Sequence, residues 1–338
     1  MKNLNENIVL TGDRPTGKLH LGHYVGSMQN RVKLQNQYDR CFYMVADIQA
    51  LTDNADNPEK VRKNVLEVVL DNLAAGLTPE KTTFFIQSQI PEIAELTVLF
   101  LNLVTLARLR RNPTVKDEMK QKGFGENVPA GFLVYPVSQA ADILFCNSNI
   151  IPVGEDQLPV IEQANEIVEK FNAIYGKTFR KIEPFLSDTP RLVGIDGNAK
   201  AGKSLGNAIY LEDLPKEIER KVMMMYTDPN HIHTDDPGKV EGNIVFTYLN
   251  IFDPDNAEVE KLQQHYRRGG LGDVVIKKRL IGVLENVIAP IRTRRREFAK
   301  NPEYVMEILR DGTRKTRKAA KKTMRKVREA VKLNYFNL

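Results

Sequence analysis

The 338 residues carry 49 Lys and Arg against 43 Asp and Glu, with 42% hydrophobic and 27% charged positions, a balance that excludes intrinsic disorder and leaves room for one large domain or two modest ones. Only two cysteines occur, Cys41 and Cys146, with no zinc spacing between them, which excludes a disulfide scaffold and fits a reducing compartment. Ten basic residues fall between Arg314 and Lys332 against the single acid Glu329, so this segment is +9 and the rest of the chain −3; basicity so confined points to a polyanionic partner.

The opening residues contain no apolar signal core, and a cytoplasmic location is the expectation. Ile8 to Thr11 reads as a buried strand, followed by a Gly/Pro loop and a helix from about His20. Further strands are expected at Cys41 to Ala46 and Thr82 to Gln87. Between them lies a helix with Asn57 as N-cap, Pro58 at its first position, an apolar face of Val61, Val65, Val68 and Leu73, and Gly76 as its stop. Ile93 to Leu109 reads as the most apolar helix, too short and too interrupted by Asn102 and Thr105 to cross a bilayer. A strand at Asn149 to Val153 precedes a long helix with Ala164, Ile167, Phe171 and Ile174 on one face, ending at Gly176. This β-α-β-α rhythm predicts an α/β fold, a doubly wound parallel sheet. Arg191 to Asn207, rich in Gly, Ala and Lys, reads as a mobile loop. From Asp213 the periodicity is helical, broken by Asp-Pro turns at 228–229, 236–237 and 253–254, and a second, all-α domain is expected. The basic end reads as an exposed helix.

Four segments carry chemistry. Thr11-Gly-Asp-Arg-Pro-Thr-Gly-Lys-Leu-His20-Leu-Gly22-His23 runs from the first strand into a helix, where free N–H groups favour phosphate and a glycine lets a flat base approach the backbone. The alternative is a surface helix start with two solvated histidines. Gly197 to Ser204 matches the phosphate-loop pattern G-x4-G-K-S, but that motif needs a strand before it and a helix after it, and a glycine at 206 with strand-like residues beyond does not supply one. A mobile loop bearing Lys200 and Lys203, able to swing onto a pyrophosphate as charge develops, describes it better. Tyr135, Gln139 and Asp142 recur at spacings of four and three, on one face of a helix, and Gly154-Glu-Asp-Gln157 puts polar groups just after a strand, where open α/β sheets bind ligands. Ordinary capping is the alternative for both.

Taken in this order, His20-Leu-Gly-His23, Tyr135 to Asp142, Gly154 to Gln157 and Lys200-Ala-Gly-Lys203-Ser204 resemble the bacterial tryptophanyl-tRNA synthetases of the first synthetase class. The likeness extends to Phe85-Ile-Gln-Ser88 and Met225-Tyr-Thr-Asp-Pro229. The resemblance implies a Rossmann-like catalytic domain over residues 1–195, a mobile signature loop over 196–210, a helical anticodon-binding domain over 211–304 and a basic C-terminal helix over 305–338. It implies activation of tryptophan by ATP, accompanied by Mg2+ carried on the phosphates, and then transfer to the tryptophan tRNA. His20 and His23 would contact the triphosphate, Gly22 would underlie the adenine, and Arg14 and Thr16 would belong to the ATP site. Lys116, Lys200 and Lys203, with Ser204, would serve the departing pyrophosphate, and Gly154, Asp156 and Gln157 would hold ribose and substrate. Asp142 would accept the indole N–H, Tyr135 and Gln157 would meet the ammonium, and Gly12, Gln49 and Gln139 would line the same amino-acid pocket. No resident metal and no membrane are implied, and the family assembles as a homodimer.

The sequence departs from that pattern where the loop usually reads Lys-Met-Ser-Lys-Ser, Ala201 and Gly202 standing for Met-Ser. Both lysines persist, but Gly202 raises the entropy lost on ordering the loop; a slower or differently regulated enzyme is the expectation. Arg14 stands where many members have Gln, and Gln139 where many have Met. The tyrosine enzymes carry a similar Tyr-x3-Gln-x2-Asp helix, and Gly-Glu-Asp-Gln favours tryptophan over them. A phosphate-loop ATPase and a non-catalytic tryptophan- or RNA-binding paralogue are the competing readings. The basic end and the cluster Arg292, Arg294, Arg295 and Arg296 are candidate RNA contacts. His231-Ile-His233 beside Asp235 and Asp236 reads as a polar turn rather than a metal site.

Overall fold

A computed structural model describes residues 7–187, 192–197, 201–202 and 205–336. Five strands form one sheet: β1 (Val9–Asp13), β2 (Cys41–Val45), β3 (Thr82–Ile86), β4 (Ile150–Val153) and β5 (Glu183–Leu186). All pairings are parallel and the order is β3-β2-β1-β4-β5, so the direction of winding reverses at β1 and β4, the switch point beside which such sheets bind ligands. The central strands read as apolar runs because both faces are covered: Tyr43 and Val45 of β2 join one core, Phe42 and Met44 the other.

The crossover helix Pro58–Ala75 begins where Asn57 accepts the Lys60 N–H at 3.1 Å and stops at Gly76, whose φ of 116° suits only glycine. It packs on one face with the helix Asp273–Ala299. The helices Pro91–Leu101, Ala130–Leu144 and Leu158–Tyr175 cover the other. Beyond residue 211 the described chain contains helices and no strand of the sheet, the main ones being Pro215–Met223, Ile244–Phe252, Asn256–Arg268, Asp273–Ala299 and Pro302–Ala330.

Several expectations change. Ile93 to Leu109 is two helices, Pro91–Leu101 and Leu106–Arg111, because the Thr105 hydroxyl caps the second by accepting the Arg108 N–H. Strand β5 has no counterpart among the expected elements. Ile174 is 56% exposed while Ala164, Ile167 and Phe171 are buried, so the apolar stripe ends one turn early. The last helix is exposed along only one side. Its Ala320, Met324 and Val327 lie in the core, and Gly312 lies so close to β3 that a Cβ there would sit 1.8 Å from the Phe84 carbonyl oxygen. Of the three consecutive methionines, only Met225 is buried.

Candidate active site

The polar residues singled out in the sequence follow the carboxyl ends of adjacent parallel strands, Arg14 after β1, Gln49 after β2 and Gly154 to Gln157 after β4, and Gln87, given no role there, joins them after β3. The order of the strands, rather than proximity in sequence, gathers them at one edge.

After β1, Asp13 is held by a buried network. Arg31 Nη1 donates to its Oδ2 at 2.5 Å and Nη2 to its Oδ1 at 2.8 Å, and the Asn72 amide and Tyr43 hydroxyl add bonds at 2.9 and 3.0 Å. Burial works against the Asp13 charge, but Arg31 prevails and holds the carboxyl well below the usual range. The strand end is thereby fixed, and Gly12 is required there because a Cβ would approach the Met44 carbonyl oxygen to 2.5 Å. The chain then reaches His20, which caps the helix Leu21–His23: its Nδ1 accepts the Gly22 N–H at 3.1 Å, and its own N–H donates to His23 Nδ1 at 3.3 Å. The two rings lie 3.9 Å apart. Leu21 N–H donates to the Ile209 carbonyl at 2.9 Å and Leu211 N–H to that of Leu19 at 3.2 Å. Residues 209–211 are therefore stitched to the histidine turn, and Ala201 Cβ lies 3.8 Å from where a Cβ on Gly22 would sit.

Three acids placed outside the expected set, Asp71, Glu67 and Glu212, hold this turn. Asp71, 1% exposed, accepts the Leu19 N–H at 2.7 Å and Arg295 Nε at 2.6 Å. Arg295 also pairs with Glu67 and Glu212, and Lys18 with Glu212 at 2.5 Å. Arg292 binds Glu285 and the Asp213 carbonyl, and Arg294 the Ala74 carbonyl. Three members of the expected RNA-binding cluster are thus engaged within the chain, although of these only Arg292 is buried.

After β2 and β3 lies a second polar cluster, centred on Asp142. Tyr135 and Asp142 share a buried face of the helix Ala130–Leu144, with Gln139 partly exposed beside them. Gln87 Nε2 donates to Asp142 Oδ1 at 2.7 Å and Gln49 Nε2 to Oδ2 at 3.3 Å, while Gln49 also bonds the Ser138 hydroxyl. Burial pushes the Asp142 carboxyl up to about 7 in spite of both amides. The Tyr135 hydroxyl is buried, and burial, with Glu118 beside it, raises it above the ordinary phenol value.

The helix Pro113–Lys122, capped by Asn112, packs beside this cluster, its Val115 against Phe132 and Tyr135. It carries Lys116 exposed and is anchored where Thr114 Oγ1 donates to the Asp156 carbonyl at 2.8 Å and Asn112 Nδ2 to Gln163 Oε1 at 2.7 Å. Asp53 receives Lys122 Nζ at 2.5 Å and Arg14 Nη1 at 3.4 Å, joining that helix to the loop after β1. Burial raises the Glu118 carboxyl, opposed by Arg14, with Asp156 and Asp53 adding to it, so Arg14, Glu118, Tyr135 and Asp156 share one electrostatic environment. Gly154 opens the turn Glu155–Gln157, where a Cβ would meet Asp156 Oδ1 at 2.7 Å. Thr16 lies in the loop between β1 and His20, its N–H on the Arg14 carbonyl.

Lys200, Lys203 and Ser204 lie outside the described residues. No α-helix starts among described residues 205–214, and the helix a phosphate loop requires is missing there. His231 Nε2 meets the Leu271 carbonyl at 3.1 Å, and no group of three or more His, Cys, Asp or Glu suited to a metal occurs among the described residues. No helix among them is long and apolar enough to cross a membrane.

Residues 2–289 match the family described as tRNA synthetases class I (W and Y). A tryptophan–tRNA ligase of Clostridium longisporum is 58% identical over 337 residues, covering 98% of each chain, and one of Lactococcus lactis is 54% identical over 335 residues, covering 97% of this chain and 98% of its own. The crystal structure of tryptophanyl-tRNA synthetase from Campylobacter jejuni complexed with ADP and tryptophan superposes with a TM-score of 0.83 at 30% identity, covering 96% of this chain and 99% of that one.

Proposed function

The chain belongs to the class I tRNA synthetases of the tryptophan and tyrosine group, and from that premise we propose how its own residues carry out the reaction of a tryptophan–tRNA ligase. In the first step a carboxylate oxygen of tryptophan attacks the α-phosphorus of ATP, the bond to the bridging oxygen of the β-phosphate breaks, and pyrophosphate leaves. The attacking group is already an anion, so no protein nucleophile or base is called for, and catalysis consists of positioning and charge stabilisation. In the second step a ribose hydroxyl of the terminal adenosine of the tRNA attacks the carbonyl of the mixed anhydride and AMP departs.

The nucleotide is read as lying on the His20–His23 turn, its adenine on Gly22 and its triphosphate by His20, His23, Arg14 and Thr16, with Gly154, Asp156 and Gln157 toward the ribose. Lys116, Lys200 and Lys203, with Ser204, receive the charge that develops on the pyrophosphate. Loss of such a donor typically lowers the rate ~100- to 1000-fold. Magnesium enters as part of the MgATP substrate, on the phosphates.

Asp142 is read as the acceptor for the indole N–H, with Gly12, Gln49 and Gln139 around the ring and Tyr135 and Gln157 at the ammonium. The observation that carries this reading is the buried carboxylate held by two amides at the sheet edge, with lone-pair capacity left over. A substrate lacking the donor leaves that acceptor unpaired, which can give roughly 10^4-fold discrimination.

Residues 1–195 are read as the catalytic unit, 196–210 as the loop that closes on pyrophosphate, and 211–304 with the basic helix 305–338 as the tRNA-binding part. Nine of the ten basic residues between Arg314 and Lys332 are exposed, eight of them on the last helix and Lys332 just past its end, which supports phosphate contact. A cytoplasmic homodimer completes the proposal, carried by family likeness. Fluorescence gives a direct binding test: the chain contains no tryptophan, so quenching or a shift of tryptophan emission on mixing reports the ligand alone. Asp142→Asn should abolish that change.

A further inference from the structure

Gln87 occupies a position that the substrate reading leaves without a role. It is the first residue after β3, 2% exposed, at the start of a 3-10 turn, Gln87–Gln89. A primary amide buried to this extent is stable only if both ends are bonded, and here both are. Its Oε1 accepts the Gln49 backbone N–H at 3.1 Å and its Nε2 donates to Asp142 Oδ1 at 2.7 Å. These partners fix which end is which: a flipped amide would set NH2 against N–H and carbonyl oxygen against carboxylate, repulsive at both ends. The turn itself is pinned where Ser88 N–H donates to Asp47 Oδ1 at 2.9 Å and Ile90 N–H to the Gln87 carbonyl at 3.0 Å.

The Gln49 contact to Asp142 is longer, at 3.3 Å, and Gln49 Nε2 divides itself between Asp142 and Ser138. Gln87 therefore supplies the stronger, undivided bond, from a turn at the end of β3 that is itself pinned by two hydrogen bonds. An acceptor selects among ring systems only if it keeps its direction when the pocket is empty.

We propose that Gln87 is a specificity-determining positioning residue, whose orientation-locked amide aims the Asp142 carboxylate at the ring N–H of the amino-acid substrate. The proposal rests on the reading of Asp142 as the indole acceptor. Gln87 does not touch the substrate; it acts through Asp142. Its removal costs the preference for a substrate with a ring N–H more than the capacity to activate an aromatic amino acid.

The test is ATP–pyrophosphate exchange with tryptophan and with β-(benzothiophen-3-yl)alanine, which replaces the ring N–H by sulfur in a ring of similar size. Gln87→Met removes both hydrogen bonds at near-constant volume. The expected result is a loss of about tenfold to a hundredfold in kcat/KM for tryptophan, the range for a hydrogen bond to a charged group, with less than a threefold loss for the analogue. Gln87→Glu keeps an acceptor for the Gln49 N–H and the same size, so it tests the idea even if the methionine variant folds poorly; near neutral pH the new carboxyl shares a proton with Asp142 and can still donate to it, so the preference for tryptophan should be kept at pH 7 and fall toward pH 9 as both groups ionise, a dependence the wild type lacks. In an Asp142→Asn background, Gln87→Met should add less than threefold. Equal losses for both substrates, or losses that multiply in the double variant, would show Gln87 to be structural and overturn the proposal. A wild-type enzyme that activates both substrates equally would overturn the reading of Asp142 itself, an outcome separate from any effect at position 87.

Discussion

Replacing Arg295 by methionine isolates the contact by which the long helix Asp273–Ala299 holds the histidine turn. Asp71 is 1% exposed and shared between the Leu19 N–H at 2.7 Å and Arg295 Nε at 2.6 Å. Without the guanidinium, a buried carboxylate keeps one backbone donor, and breaking a buried pair from one side costs about 3–5 kcal/mol. At roughly 2 °C per kcal/mol for a chain of this size, the melting temperature should fall by roughly 6–10 °C. The sign of the pH dependence follows from Asp71. Burial already raises its carboxyl above the usual value, against Arg295, and without Arg295 it rises further. The native variant then binds a proton that the unfolded chain has lost, so its stability declines as pH rises from about 4 through the raised value. The penalty should be small near pH 5 and full by pH 8, and Asp71→Asn in the Arg295→Met background should recover at least half of it. Differential scanning calorimetry of the wild type, Arg295→Met and the double variant at both pH values measures this. A penalty below about 1 kcal/mol at pH 8, or no relief from Asp71→Asn, would refute the reasoning, because a buried unpaired charge cannot be that inexpensive.

Gly22→Ala would place a Cβ 2.9 Å from His20 Cε1 and 3.0 Å from its Nδ1; the ring must leave its cap, and exchange activity should fall by about two orders of magnitude with little change in melting temperature. A wild-type level of exchange would show that His20 does not need this placement. Because burial pushes the Asp142 carboxyl up to about 7, affinity for tryptophan should weaken as pH falls below that value, approaching tenfold per unit, and the benzothiophene analogue should lack this limb; parallel profiles would count against Asp142 as the N–H acceptor. Ala201 is buried, its N–H on the Leu192 carbonyl, and the Gly202 N–H is on Asn207 Oδ1 at 2.9 Å. The Ala201→Met, Gly202→Ser double variant should therefore change kcat or the ATP KM of activation at least threefold in stopped-flow measurements, and unchanged kinetics would remove any special role for the altered loop.

The sheet was legible where apolar runs met Gly and Pro punctuation. Asn57-Pro58 and Gly76 bracket one crossover helix, and the structure keeps both ends. Strand β5 escaped because it is a largely exposed edge strand of four residues containing Pro184, and neither apolar alternation nor β propensity marks such a segment. The split at Thr105 depends on a side-chain cap, which competes with periodicity over a few residues. Motif spacing found the residues that line the strand ends, because helical period and strand-to-helix junctions are local properties. It did not find Gln87 or Asp71, whose roles come from partners 55 and 224 residues away in the chain. Charge counting found the basic end but not its inner face: Gly312, Ala320, Met324 and Val327 form a stripe of small and apolar residues diluted by lysines and arginines, and Arg328 and Arg317 spend charge on Glu95 and Glu92.

The most direct measurement is amino-acid-dependent ATP–pyrophosphate exchange with each of the twenty amino acids in turn. The account predicts exchange with tryptophan and none with the others above background, tyrosine included, with Lys116→Ala reducing the rate and leaving tryptophan affinity in place. Exchange with tyrosine instead, or tryptophan binding with no exchange at all, would contradict it.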